Sequence, residues 1–112
     1  MPRYGNGALT DVMPWILGAS LSSSVSSSRI PNWMPDHDAS VRQRVVLLVD
    51  GLGHHQLRDR AALAPTLTAM RGSVITSVAP TTTATALTSL STGMTPGEHG
   101  IVGYRMDMGT SV

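Results

Sequence analysis

The clearest hydrophobic pattern in the chain is a run of five apolar residues at positions 45–49, which ends at Asp50. A continuous run rich in β-branched residues is typical of a strand buried on both faces, as in a parallel sheet. The stretch Gly-Ser-Val-Ile-Thr-Ser-Val-Ala-Pro at residues 72–80 predicts a second strand, which ends at Pro80. Residues 51–63 predict a turn that leads into a helix, residues 65–71 predict a short helical piece, and the apolar spacing of residues 84–90 predicts a further helix. The order of strand, helix, strand and helix predicts an α/β fold with a parallel sheet.

The first 40 residues are predicted to form a separate region before the α/β part. Residues 11–21 have the pattern of a short helix, with Thr10 or Asp11 as the N-cap. A Ser-rich stretch with two prolines follows, and it predicts a solvated linker. We therefore predict two parts: an N-terminal helix and linker at residues 1–40, and the α/β part at residues 41–112.

Composition narrows the classes of protein that fit. The chain has 112 residues, a net charge of +1 and scattered basic residues, which argues against a nucleic-acid or anionic-membrane surface. The absence of cysteine excludes disulfides, thiolate metal sites and a cysteine nucleophile. No segment approaches the roughly 20 apolar residues of a membrane helix, and none has the flanks of a signal peptide. A cytoplasmic location is the default expectation, and the oligomeric state is open.

Asp50 is the first candidate for function, because it directly follows the predicted buried strand. Ligands of open α/β sheets bind at the carboxyl ends of the strands. A carboxylate buried there needs a metal ion, a cation or several hydrogen-bond donors. Gly51 and Gly53 allow the backbone to turn sharply and to approach a ligand closely. The structural alternative is that Asp50 only caps the following helix.

Threonine is concentrated after the second predicted strand, at positions 81, 82, 83, 85, 88, 92 and 95. Such a run also fits ordinary turn and N-cap chemistry. A hydroxyl at the start of a helix lies at its positive end, where backbone N–H groups can hold a phosphate. Threonine becomes an effective nucleophile when its alkoxide is stabilised, which a divalent metal ion does efficiently. Asp50 and a threonine of this run would be well placed to share one metal ion.

Two stretches together resemble a known family. The first is Val-Val-Leu-Leu-Val-Asp-Gly-Leu-Gly at residues 45–53, and the second, at residues 80–104, contains Pro-Thr-Thr-Thr, Thr-Gly and Pro-Gly-Glu-His-Gly-Ile. They look like the amino-terminal part of the alkaline phosphatase superfamily, and most closely the type I phosphodiesterase/nucleotide pyrophosphatase branch. The resemblance implies an alkaline-phosphatase-like sandwich with a parallel sheet, of which only the first β-α-β-α portion is present.

The resemblance also implies roles for individual residues. Asp50 matches a metal-ligand aspartate, and Thr83 matches the nucleophile that also contacts metal, with Thr82 as the runner-up. The family uses two divalent metal ions, with zinc favoured, to form and hydrolyse a phospho-enzyme. The implied substrate is therefore a small phosphate ester or a nucleotide. Ala84 and Ala86 stand where animal-type members have an aromatic residue and an asparagine, so the preference between diesters and monoesters stays open.

The further Asp and His ligands that the resemblance implies do not occur in this sequence. Of the four histidines, His54 and His55 begin a predicted helix, His37 lies in the linker, and His99 matches a motif position with a structural role. Glu98 is expected to be a solvated turn residue. We expect an amino-terminal fragment of a metal-dependent phosphodiesterase or pyrophosphatase that is inactive by itself. Two alternatives stay open: a non-catalytic α/β module that binds a phosphate-bearing ligand, and a degenerate remnant without a stable fold.

Overall fold

The computed structural model describes residues 1–21, 31–35 and 42–104. This part of the chain contains the helices α1 Leu9–Leu21, α2 His54–Asp59, α3 Pro65–Ala69, α4 Thr83–Thr92 and α5 Pro96–His99, and a 3₁₀ turn at Ala61–Leu63. The chain forms two compact units. We call Met1–Ser28 with Ile75–Val112 the α4 unit, and Arg29–Val74 the Asp50 unit. The described helices are too short or too polar to cross a membrane.

Asp11 organises the start of α1. Four donors converge on its carboxylate: the backbone N–H groups of Gly5 at 3.0 Å, Gly7 at 2.8 Å and Ala8 at 2.9 Å, and the hydroxyl of Thr10 at 3.1 Å. Partial burial acts to raise the pKa of Asp11, but these hydrogen bonds outweigh it and hold the pKa below its ordinary value. The helix predicted at residues 11–21 is confirmed, but it begins two residues earlier, at Leu9, so Thr10 and Asp11 lie in its first turn and their prediction as N-cap is wrong.

The α4 unit is held together by the packing of α1 against α4 and by a small core. Among the described residues, this core contains the apolar residues Ala8, Val78 and Leu90 and the polar residues Thr10, Thr85 and Ser89, and Pro96 of α5 is buried as well. Three of the core residues therefore carry hydroxyl groups, and each buried hydroxyl needs a hydrogen-bond partner. The hydrogen bonds made by α4 are consequently part of what stabilises the unit.

Residues 1–21, which we call the N-terminal segment, join the second predicted strand through a parallel β-bridge between Ala8 and Thr76. The Thr76 N–H donates to the Gly7 carbonyl at 2.9 Å, and the Leu9 N–H donates to the Thr76 carbonyl at 3.0 Å. Within the described residues, the strand predicted at 72–80 has this single bridge as its ladder contact. The bridge is parallel, as in the predicted sheet, but it is too short to establish that sheet.

Residues 45–49, the first predicted strand, have no regular secondary structure. Their side chains are exposed, from 44% at Val46 and Val49 to 90% at Val45. A strand is defined by its ladder, and a parallel partner is always distant in sequence. The apolar pattern therefore indicates that this segment can form a strand when a partner strand is present. The parallel α/β sheet stays a prediction.

The predicted helices are present with shifted ends. The helix predicted to follow the turn within residues 51–63 is interrupted at Arg60, where φ is −121° and ψ is 27°, so that α2 is followed by a 3₁₀ turn. Helix α4 is longer than the predicted span of residues 84–90 and has ten residues. It stops at Gly93, which has a left-handed backbone with φ of 73° that favours glycine.

Candidate active site

Thr83 is the first residue of α4, and its side chain is half-buried. The preceding residue, Thr82, is the N-cap and has an extended backbone with φ of −62° and ψ of 146°. The N–H groups of a first helical turn have no partners within their own helix. Thr83 thus places its hydroxyl-bearing side chain at the positive end of a ten-residue helix.

The hydroxyl of Thr82 is directed inward. Its Oγ1 lies 2.7 Å from Oγ1 of Thr85, which is fully buried. The spacing of three residues puts the two side chains on one face of the helix start. Further along α4, Thr88 donates to the Ala84 carbonyl at 2.8 Å and Thr92 donates to the Thr88 carbonyl at 2.7 Å. These bonds give most hydroxyls of the threonine run a structural partner.

A serine and a histidine connect α4 to α5. Oγ of Ser89 lies 2.8 Å from Nε2 of His99, and the backbone N–H of Ile101 donates to Nδ1 of His99 at 3.1 Å. Because Nδ1 accepts a hydrogen bond, the neutral imidazole carries its proton on Nε2 and donates it to Ser89. A general base would have to accept the proton of the serine through Nε2. This pair is therefore structural, which supports the bracing role predicted for His99.

Asp50 lies in the turn that follows residues 45–49 and is exposed. The Leu52 N–H donates to the Val49 carbonyl at 3.4 Å, and Gly51 has a left-handed backbone with φ of 73°. The N-cap residue of α2 is Gly53, three residues after Asp50. Asp50 belongs to the Asp50 unit and Thr83 to the α4 unit.

The two zinc ions implied by the resemblance need several ligands each, and zinc sites in proteins have three or four side-chain ligands. Within residues 1–21, 31–35 and 42–104, no three Asp, Glu, His or Cys side chains come together to hold a metal ion. His54 and His55, at the start of α2, contact each other edge to face with ring centroids 5.5 Å apart. His37 lies outside the described residues. The described residues alone do not form a zinc site.

Glu98 is exposed and belongs to a capping box at the start of α5. Its Oε2 accepts the backbone N–H of Thr95 at 2.7 Å and the Thr95 hydroxyl at 2.8 Å. The bond from the Thr95 N–H is the main cause that lowers the pKa of Glu98 below its ordinary value. A carboxylate used in this way stabilises a helix start, which agrees with the turn role predicted for Glu98.

The comparison with protein families identifies the chain. A model described as type I phosphodiesterase / nucleotide pyrophosphatase matches residues 44–111, which places the chain among hydrolases of the phosphodiesterase and pyrophosphatase type. Because the match covers more than half of the chain, the protein belongs to the type I phosphodiesterase/nucleotide pyrophosphatase family. The family predicted from the sequence is thereby confirmed. Comparisons with curated proteins and with solved structures gave no match.

Sequence reasoning missed three contacts that shape the site: Asp11 with its backbone donors, Thr82 with Thr85, and Ser89 with His99. The spacing of three between Thr82 and Thr85 was a signal, since residues so spaced face each other on a helix. No such signal joins Ser89 to His99, because they lie on two helices whose crossing is set by tertiary packing.

Proposed function

We propose that the protein is a metal-dependent phosphoric ester hydrolase of the nucleotide pyrophosphatase/phosphodiesterase type, with Thr83 as its nucleophile. The family match at residues 44–111 carries this proposal, and Thr83 is the first residue of a ten-residue helix within that match. The proposed substrate is a small phosphate ester or a nucleotide. The helix start supports this choice, because anions are stabilised at that end of a helix.

In the proposed reaction, the hydroxyl oxygen of Thr83 attacks phosphorus while the bond from phosphorus to the leaving oxygen breaks on the opposite side. The hydroxyl proton is released and the leaving oxygen takes up a proton, so that a phosphoryl group remains on Oγ1 of Thr83. Water then attacks the same phosphorus, releases the phosphorylated product and restores the hydroxyl. Backbone N–H groups in the first turn of α4 would stabilise the charge on the phosphoryl oxygens.

The contacts of Thr82 point to a structural role for this residue. Oγ1 of Thr82 lies 2.7 Å from the buried hydroxyl of Thr85. An attack by Thr82 would break this bond and leave a buried hydroxyl without that partner, at a cost of about 1–3 kcal/mol. Thr82 is better suited to shape the helix start than to react.

We also propose that the protein uses two divalent metal ions, with zinc favoured, and that Asp50 and Thr83 each supply one oxygen ligand. A carboxylate oxygen is a ligand that zinc accepts. When bound, such ions lower the barrier by stabilising an attacking oxygen and a leaving oxygen. Further ligands must complete these sites, since the described residues group no three ligating side chains.

The test of the nucleophile uses the full-length protein with bis(4-nitrophenyl) phosphate and 4-nitrophenyl phosphate as probes. We expect Thr83→Ala to lower kcat by about 1,000-fold or more, as loss of a nucleophile does in other hydrolases. Thr83→Ser keeps a hydroxyl and should keep measurable turnover. Thr92→Ala is the matched control, because Thr92 is an exposed threonine at the other end of α4. Mass spectrometry of quenched reactions should find the phosphoryl group on Thr83.

Four results would contradict parts of this proposal. Loss of activity in Thr82→Ala but not in Thr83→Ala would make Thr82 the nucleophile. Full activity in both variants would remove the threonine mechanism altogether. Activity that survives a chelator and does not respond to added zinc would remove the metal dependence. Binding of inorganic phosphate without zinc and without turnover would favour the alternative of a non-catalytic phosphate-binding module.

A further inference from the structure

Residues 1–21 lie outside the family match at residues 44–111, yet they contact the chain on both sides of Thr83. One contact is at Thr76, seven positions before Thr83, and the other is at Gly93, ten positions after it. All of these residues belong to the α4 unit. The N-terminal segment is therefore in a position to determine where α4 begins.

The contact before Thr83 is a set of hydrogen bonds that engages every polar group of Thr76. Its N–H donates to the Gly7 carbonyl at 2.9 Å, and its carbonyl accepts the Leu9 N–H at 3.0 Å. Its hydroxyl oxygen accepts the Arg3 N–H at 2.9 Å. Next to this bridge, Ala8 is fully buried and Val78 is 1% exposed. The chain that leads into α4 is thus attached to the N-terminal segment.

The N-terminal side of this contact is itself held in shape by Asp11. Its carboxylate accepts N–H groups from Gly5, Gly7 and Ala8, at distances of 2.8 to 3.0 Å. Bonds to an ionised carboxylate are stronger than bonds between neutral groups. Asp11 thereby fixes the loop that presents the Gly7 carbonyl and the Leu9 N–H to Thr76.

The contact after Thr83 is a close approach of α1 to the end of α4. A Cβ atom on Gly93 would lie 2.5 Å from Cγ of Pro14 and 3.3 Å from the Thr10 carbonyl oxygen. Real Cβ atoms do not approach carbon atoms to 2.5 Å. Only glycine fits here, so the backbone of α4 ends directly against α1.

We infer that residues 1–21 are a positioning segment for Thr83, which holds α4 by contacting the chain before it at Thr76 and its C-cap at Gly93. This inference rests on the proposed function of Thr83 as the nucleophile. In-line attack on phosphorus requires an aligned nucleophile, and a misplacement of about 1 Å can cost about 100-fold in rate. The N-terminal segment does not touch the substrate in this scheme, and it acts through the placement of α4.

The test uses two glycines that have the same left-handed backbone conformation but different atoms around the position of an added Cβ. Gly93 and Gly100 both have left-handed φ angles, of 73° and 74°, and a Cβ on Gly100 would meet nothing within 4 Å. Gly93→Ala and Gly100→Ala therefore carry the same backbone strain, but only Gly93→Ala collides with α1. Adding Pro14→Ala to Gly93→Ala removes the ring atom at 2.5 Å and should relieve the collision.

In the full-length protein, we expect Gly93→Ala to lower kcat for bis(4-nitrophenyl) phosphate about tenfold or more relative to Gly100→Ala, with little change in KM. Gly93→Ala should also shift the amide NMR resonance of Thr83 more than Gly100→Ala does. The double variant with Pro14→Ala should recover most of both losses. Equal effects of the two glycine variants, or no recovery in the double variant, would overturn the inference.

A second pair of variants decides the question if Gly93→Ala does not fold. Thr76→Val removes the hydroxyl that accepts the Arg3 N–H but keeps the backbone bridge. Thr68→Val is its control, because Thr68 bonds the Ala64 carbonyl inside the Asp50 unit. Thr76→Val should shift the Thr83 amide resonance and lower kcat severalfold, and Thr68→Val should do neither. No shift with Thr76→Val would overturn the inference.

The NMR readout separates this inference from the proposed function. If the wild-type protein hydrolyses neither probe, the proposed function fails. A Thr83 resonance that still responds to Gly93→Ala and recovers with Pro14→Ala would then support the positioning of α4 by residues 1–21 on its own.

Discussion

Helix α4 begins with the candidate site residue Thr83, and the apolar segment at residues 45–49 precedes the other candidate, Asp50. The two regions differ in how far their hydrogen bonds and apolar side chains are satisfied. Helix α4 has an N-cap, a glycine stop and buried side chains that bond within the α4 unit. The apolar side chains of residues 45–49 are 44% to 90% exposed. The difference follows from hydrogen-bond range, since a helix pairs groups four residues apart and a parallel strand needs a distant partner.

This comparison matters for the site because each candidate residue takes its position from its element. The place of Thr83 is determined by α4 and by the N-terminal segment that contacts it at Thr76 and Gly93. The place of Asp50 is determined by a turn after an exposed segment, closed by the Leu52 N–H at 3.4 Å from the Val49 carbonyl. The helix start is the better defined of the two positions.

The largest expected effect is on the free energy of unfolding, and it is tested by replacing one leucine in each region with alanine. In the 112-residue chain, Leu90→Ala should lower the free energy of unfolding by about 3 kcal/mol, because Leu90 is buried in the core of the α4 unit. Leu47→Ala should change it by less than about 0.5 kcal/mol, because Leu47 is 73% exposed. Denaturant titration of both variants measures the difference. A cost for Leu47→Ala close to that of Leu90→Ala would show instead that residues 45–49 are covered, as the proposed parallel sheet requires.

The next effect concerns the anchor of the N-terminal segment. Asp11→Asn should lower the free energy of unfolding by about 2 kcal/mol near neutral pH, because an amide replaces a carboxylate that accepts three backbone N–H groups. The folded-state pKa of Asp11 is lowered, so its contribution is present above the unfolded pKa and is lost as the pH falls through the folded pKa. The two proteins should therefore become equally stable in acid.

The control for this prediction is Asp59→Asn. Asp59 is exposed and pairs with Arg58 at 3.1 Å on the surface, so its loss should cost less than about 0.5 kcal/mol. A difference between wild type and Asp11→Asn that stays constant from neutral to acid pH would contradict the role of the Asp11 charge.

A smaller effect tests the link between α4 and α5. His99→Ala should cost about 1 kcal/mol, because it removes the partner of the Ser89 hydroxyl and of the Ile101 N–H. Nitrogen NMR of the wild-type imidazole should place a proton on Nε2, because Nδ1 accepts the Ile101 N–H. His99→Gln can restore a donor to Ser89 and is expected to be less destabilising than His99→Ala. A ring protonated on Nδ1 would disprove the assigned hydrogen bonds.

The smallest effect is expected at the capping box of α5. Glu98→Gln keeps the shape of the side chain but loses the charge that faces the Thr95 N–H. Because the pKa of Glu98 is lowered in the folded state, the small stability difference should be present near neutral pH and vanish as the pH falls through that pKa. Thermal melts at two pH values measure it. A larger effect than that of His99→Ala would mean that Glu98 does more than cap the helix.

Much of the local structure could be predicted from the sequence. The helix near residues 11–21, the helix around residues 84–90 and its stop at Gly93 follow from apolar spacing and from the preference of glycine for left-handed helix ends. The family could also be predicted, because each of its motifs is a short continuous stretch of sequence. The interruption at Arg60 was not predicted, since the apolar pattern continues through it.

Sequence by itself determined which residues are candidates, Asp50 and Thr83, because motif spacing is a property of the chain alone. It also determined where α4 begins to within one residue. Only the tertiary structure decided that Ser89 and His99 are hydrogen-bonded and that residues 1–21 contact Thr76 and Gly93. The physical reason is range: helix caps and turns act over a few residues, whereas these contacts join segments whose meeting depends on how the helices pack.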